Sequence, residues 1–209
     1  MKKISYPVMV FMLLATLSGC AQKGPILLDM RYIAPEGTAA AARKVVVGVS
    51  PFKDDRAKPA SVLGRRITSS GLVNDFVTQG TASELVAAKL KDALQARGVT
   101  VKDVAAWDMT AEGIKAEGVD ILIAGEIKTL WVESESAVLN TKVVAEARLR
   151  VSAADVKDRK ILRTLLLTSK LERTDFSFSI TTVEDTLSSA LSSAIDQFMN
   201  DEELKNKIQ

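Results

Sequence analysis

Apolar residues along this chain keep two rhythms, one near 3.6 residues and one of two, and each marks an element. Thr81-Ala82-Ser83-Glu84 has the Ser/Thr-x-x-Glu spacing of a capping box, in which each side chain satisfies a free backbone N–H at a helix start. Val86, Leu90, Ala93 and Leu94 then stripe one face, Lys89, Lys91, Asp92 and Gln95 take the other, and Gly98 supplies a left-handed stop. A period of two follows later. Val143, Ala145, Ala147, Leu149 and Val151 alternate with Val144, Glu146, Arg148, Arg150 and Ser152, one dry face and one wet. The polar turn Asp155–Lys160 returns the chain as Ile161–Leu171, which predicts an antiparallel hairpin. Thr182-Val183-Glu184-Asp185 is a second capping box and opens a last helix. Val183, Leu187, Ala190, Leu191, Ala194 and Phe198 line its inner side, and Ser188, Ser189, Ser192, Ser193 and Asp196 its watered side.

The remaining segments are less periodic. Val45–Val49 is a short β-branched run stopped by Pro51, as expected of a buried strand. Lys53–Gly80 is long and polar and reads as a loop; Val99–Val101 as a short strand; Met109–Glu117 as a brief helix interrupted by Gly113; and Asp120–Glu133 as a long strand. This order predicts an α+β fold, a mostly antiparallel sheet with helices packed on one face, in a single domain after a signal peptide and tether. The domain spans residues 44–209, and the Gly-, Pro- and Ala-rich stretch 20–43 is a flexible tether with one short strand at Leu27–Ile33.

Residues 1–19 have the layout of a secretory leader: Lys2 and Lys3, then an uncharged run from Val8 to Leu17. That run is too short to cross a bilayer, which takes about 20 apolar residues. Leu17-Ser18-Gly19-Cys20 closes it and resembles the bacterial lipobox, in which Leu17, Ser18 and Gly19 admit a dedicated signal peptidase and Cys20 takes a diacylglycerol. Cys20 is the sole cysteine, so no intramolecular disulfide can form, and an unmodified thiol would be a liability in an oxidising periplasm. Two or more acyl chains make such an anchor stable. Ala21, not Asp, follows the cysteine, and by the same resemblance the protein is expected on the outer membrane, lipid-anchored at the periplasmic face.

Charge and composition narrow the chemistry. Removal of the leader takes Lys2 and Lys3 with it and cancels the formal net charge of +2. A neutral chain with 5% aromatic residues lacks the basic stripe and stacking platform of nucleic-acid binders. There is no histidine, which removes Ser–His–Asp and Cys–His catalysis and His/Cys zinc sites. Gly64, Gly71 and Gly80 are scattered and form no phosphate-cradling loop. Asp54-Asp55 and Asp201-Glu202-Glu203 read as solvated charge, and no acid stands out as one of a catalytic pair, so no catalytic residue, metal or cofactor is assigned. Trp107 and Trp131 read as core. Asp54, Asp55, Arg56, Arg65 and Arg66 give the long loop both signs of charge. Two readings stand for it: a partner-facing surface or a well-solvated excursion closed by an Asp–Arg pair.

Taken together, Leu17–Cys20, the Tyr32–Pro35 segment, Val45–Arg56, the helix ending in Arg97-Gly98 and Val119–Glu126 leading into the hairpin resemble the YajG-like family of bacterial lipoproteins. The layout also looks like the periplasmic fold shared by the TolB amino-terminal domain and the curli-secretion lipoprotein CsgG, without an obvious long pore-forming insertion. The resemblance implies a non-enzymatic, membrane-anchored envelope protein, a binding or assembly module whose partner is another envelope protein. The alternative is an auxiliary lipoprotein of a lipid or lipopolysaccharide transport complex, and an envelope enzyme using carboxylates alone is a third class.

Overall fold

The computed structural model describes residues 24–37 and 44–208. In chain order the strands are β1 (Ile26–Leu27), β2 (Val46–Val49), β3 (Lys53–Asp54), β4 (Val62–Ile67), β5 (Val73–Val77), β6 (Thr100–Asp103), β7 (Ile121–Ser136), β8 (Thr141–Asp155) and β9 (Lys160–Asp175). The helices are α1 (Ala82–Ala96), α2 (Ile180–Met199) and α3 (Glu202–Ile208). All nine strands join one mixed sheet. Strand β7 is its hub. One edge of β7 carries three short parallel strands end to end, β2 on Ile121–Ile123, β3 on Glu126 and Ile127, and β4 on Val132–Glu135. Its other edge pairs antiparallel with the whole of β8, and β8 with β9. The α+β class holds, with the long ladders antiparallel and the flanking short strands mostly parallel.

Local chemistry explains the elements the pattern revealed. Helix α1 starts at Thr81, whose hydroxyl accepts from the Glu84 N–H at 3.2 Å while Glu84 Oε2 accepts from the Thr81 N–H at 2.8 Å. It ends at Gly98, which takes φ +76 and donates to the Gln95 carbonyl. Helix α2 starts three residues before the predicted Thr182, because Ser179 caps it by accepting from the Thr182 N–H. The inner stripe of α2 is buried as expected, Val183, Leu187, Ala190 and Phe198 completely. It packs on the dry face of the hairpin, Val143 to Ala153, and shares one core with α1, α3 and the inner faces of β2, β4, β5 and β7.

Three expectations are corrected. Lys53–Gly80 is not a loop but carries β3 and the β4–β5 hairpin, turned at Gly71 with φ +79. These strands are short and charged, and β3 and β4 pair with a strand some seventy residues away, so no local rhythm announced them. Met109–Glu117 forms turns rather than a helix: Asp108 accepts from the Thr110 N–H at 3.0 Å and Met109 takes φ 61, both turn conformations. This segment covers the opposite side of the sheet with a small second core of Trp107, Ile114, Leu122, Ala124 and Ala154.

The third concerns the tether. Residues 26–33 belong to the domain: β1 pairs with β5, and Leu28 and Met30 are buried. Beyond β1 the chain runs extended along α2. The N–H groups of Asp29, Arg31 and Ile33 donate to Glu184 (2.8 Å), Ser188 (3.2 Å) and Ser192 (2.9 Å). Two extended residues advance about 6.6 Å and four helical residues about 6 Å, so every second N–H meets every fourth helical side chain. Tyr32 closes the row by donating to Asp196 Oδ1 at 2.6 Å, and the Arg97 guanidinium donates to both, 2.9 Å to the phenol and 2.8 Å to the carboxylate. The serine side of α2, expected to face water, is thus partly buried, Ser188 and Ser192 almost wholly.

Candidate functional site

The helices cover one face of the β7–β8–β9 meander and leave the other open along most of its length. On that outer face Glu126 stands opposite Arg150, Trp131 opposite Glu146, and Glu133 opposite Val144. A bulge between Ile127 and Thr129 turns Lys128 out beside Glu126, where its Nζ lies 2.8 Å from Glu126 Oε2 and 2.7 Å from Asp55 Oδ2. These contacts hold both carboxyls below their ordinary range, through the Lys128 hydrogen bond first. An open cleft of about 320 Å³ lies beside them, lined by Lys58, Arg65, Lys128, Trp131, Glu133 and Glu146 and floored by Arg56, Ala57, Thr129 and Leu130. Lys58 Nζ sits 4.7 Å from the centre of the Trp131 ring, a cation–π contact. Trp131, expected in the core, is therefore only partly buried, on the outer face, whereas Trp107 is buried as expected.

The five residues singled out for a partner-facing surface have three different fates. Asp54 and Arg56 form a bidentate pair, Nε to Oδ1 at 2.8 Å and Nη2 to Oδ2 at 2.8 Å, with the arginine side chain 3% exposed. Arg56 also donates to the carbonyls of Ala60 (3.2 Å), Val62 (2.9 Å) and Leu130 (3.1 Å). This guanidinium ties β3, the 57–61 connection, β4 and β7 together, and its hydrogen bond keeps the Asp54 carboxyl below its usual value. Asp55 and Arg65 are exposed at the cleft, Arg65 paired with Glu133 at 2.6 Å. Arg66 is excluded from it. Adjacent strand residues point to opposite faces, so Arg66 lies on the helix side with its guanidinium carbon 3.7 Å from the centre of the Phe178 ring, itself stacked on Phe76 at 6.4 Å.

Chemically the cleft offers charges of both signs around an indole edge, and beside it the Asp55 and Glu126 carboxyls are held ionised by Lys128. An acid catalyst needs the opposite shift. Among the described residues, no group of three or more His, Cys, Asp and Glu is placed to hold a metal ion, and no helix is long and apolar enough to cross a membrane. Cys20 and the Leu17-Ser18-Gly19 recognition sequence lie outside the described residues.

No protein-family model matches the chain, and no curated protein does. Its fold is found among solved structures. Protein XCC0632 from Xanthomonas campestris, of the DUF330 family, is similar over 88% of this chain and 96% of its own, at 11% identity and a TM-score of 0.58. Lipoprotein GNA1162 from Neisseria meningitidis matches 75% of this chain and 99% of its own at 13% identity, with a TM-score of 0.39. TolB from Acinetobacter baumannii matches 78% of this chain and 30% of its own at 13% identity, with a TM-score of 0.33. At those scores the latter two bear on neither fold nor function, and the first establishes the fold alone.

Proposed function

We propose that this protein is a non-enzymatic component of the bacterial cell envelope, held by lipid on Cys20 at the periplasmic face of the outer membrane, whose open sheet face binds another envelope protein. The kinship we propose is with YajG-like lipoproteins. Two segments carrying that resemblance, around Tyr32 and Arg97, meet in a partly buried triad with Asp196.

The observation that carries the binding role is the cleft at Trp131. A partly buried indole ringed by Lys58, Arg65, Glu133 and Glu146 has the composition of an interface centre, an aromatic anchor within a polar rim. The lipid-transport alternative calls for an apolar pocket between sheet and helices. Between the meander and α2 that space is filled by Leu130, Leu149, Leu187, Leu191 and Phe198, all fully buried, and the two open clefts beside α1 carry Glu84 with Lys89 and Lys91 with Asp103 among their apolar lining, which favours the first reading.

In-cell photocrosslinking tests it. A photoreactive residue at Lys58 of the full chain should capture one reproducible envelope protein, identified by mass spectrometry, and Arg65→Ser should reduce that adduct. Equal capture from Lys157, in the β8–β9 turn, would remove the case for the cleft. Cys20→Ser should leave the membrane fraction; normal processing and retention of that variant would remove the case for the anchor.

A further inference from the structure

The two ends of the sheet differ in chemistry. The β8–β9 turn at one end is Lys157-Asp158-Arg159-Lys160, charged and exposed. At the other end the chain turns from β7 to β8 through residues 137–140, where Val138 is 92% and Leu139 80% exposed, and β9 runs out into Phe176, 97% exposed. Ile67 pairs with both Glu135 and Val73, which brings the β4–β5 turn to this same end with Leu72 and Val73 uncovered. Helix α2 begins there too, at the exposed Ile180. An apolar fringe thus crosses one end of the sheet, and nothing polar in the described fold needs it there.

The lipid-bearing terminus leaves from that end. Strand β1 runs parallel to β5 with Ile26 opposite Phe76, so the residues before it point back toward Val73, and Asn74 Nδ2 donates to the Gly24 carbonyl at 3.0 Å. Asn74 is level with Arg66, and Arg66 with Ser134. Gly24 is therefore at the height of Ser134, four residues short of Val138, a step of about 13 Å along a strand. Cys20 is four residues before Gly24, and four residues of chain reach at most about 14 Å. The covalent limit permits the acylated residue to come level with the hairpin tip. Across the sheet, the five strand spacings from β1 to β9 amount to about 24 Å, which makes the fringe a broad footing beside the anchor rather than a single point.

We infer that this fringe is a second membrane contact: with acyl chains on Cys20 in the bilayer, Leu72, Val138, Leu139 and Phe176 enter the lipid interface and hold the sheet upright, the charged Lys157 turn farthest from the surface. This rests on the anchoring reading above. Lys142 and Glu172, just behind the tips, pair at 2.9 Å, and the exposed Glu135 and Arg173 at the same height stay at the level of the lipid headgroups, behind the apolar tips.

The test uses the full chain made with its leader, purified from membranes and reconstituted in phosphatidylethanolamine–phosphatidylglycerol vesicles. A diacylated Cys20 has no free thiol, so Leu139→Cys and, separately, Lys157→Cys can each be labelled alone with a polarity-sensitive fluorophore. The probe at position 139 should emit to the blue, be quenched several-fold by spin-labelled lipid and resist aqueous iodide; the probe at 157 should do the reverse. A vesicle-bound protein whose two probes respond alike overturns the inference, as does a 139 probe that is shielded only by crosslinking to a second copy or another protein. Labelling of the unsubstituted chain at Cys20, together with absence of palmitate, would defeat the anchoring reading and this one with it, a result distinct from failure at the tips alone.

Discussion

The two faces of the β7–β8–β9 meander share backbones but follow opposite rules. Toward the helices, Val143, Ala145, Ala147, Leu149, Val151 and Ala153 are each no more than 2% exposed, and α2 fills the space above them. On the outer face the alternate residues make ion pairs with one another, as Lys128 does with Glu126 and Asp55, and keep a cleft open. Stability is concentrated on the first face because burial of apolar area is worth far more than solvated ion pairs. The second face is left free to vary with whatever it meets. A residue pair one position apart, Arg65 and Arg66, shows the division: one guanidinium rims the cleft, the other lies on an aromatic ring under the helix side.

Substitutions should separate the faces by size of effect. Phe198→Ala removes a fully buried ring from the covered side and should lower unfolding free energy by roughly 3–5 kcal/mol in a denaturant titration. Asp54→Ala, at the boundary between the faces, leaves the buried Arg56 guanidinium without its carboxylate and should cost about 3 kcal/mol in the same measurement. An equal result for an outer-face residue would erase the distinction.

Alkaline titration sharpens it further. Burial first, and then the hydrogen bond to Asp196, push the Tyr32 phenol from 10.0 up to about 12. A phenol that holds its proton more tightly in the folded chain contributes stability that is complete below pH 10 and lost as pH rises to about 12. Tyr32→Phe should flatten the melting temperature across that window. Arg65→Ser, wholly on the outer face, should leave the melting temperature unchanged and weaken only the crosslink from position 58; a drop in stability as large as that of Phe198→Ala would show that the outer face also holds the fold together.

What could be read in the sequence was what is local. Helix α1 announced both its ends through Thr81, Glu84 and Gly98, and the β8–β9 hairpin announced its dry face through alternation. Strands β3 and β4 went unread because their partner is β7, reached only after α1 and the Trp107 segment, and because strands of two and six residues are too short to show a period. The serine side of α2 looked solvated since a hydroxyl facing water and one accepting from a distant N–H leave the same polar pattern. Spacing held a clue: Glu184, Ser188, Ser192 and Asp196 recur every four residues, a straight polar line along the helix. Of the candidate site, the charges were visible but not their separation, which follows from the strand character of 62–67: neighbours at 65 and 66 must part company.

The row of bonds from Asp29, Arg31 and Ile33 to α2 spans sequence separations of 155 to 159 residues. The Asp29–Ile33 segment, among the first of the domain to leave a ribosome, therefore completes its seat only after the last long helix has been made. A chain cut short before α2 can keep β1 on β5 but leaves Asp29–Ile33 unseated, with Met30 stripped of its cover from α2, so completeness of synthesis is something this leading segment itself registers.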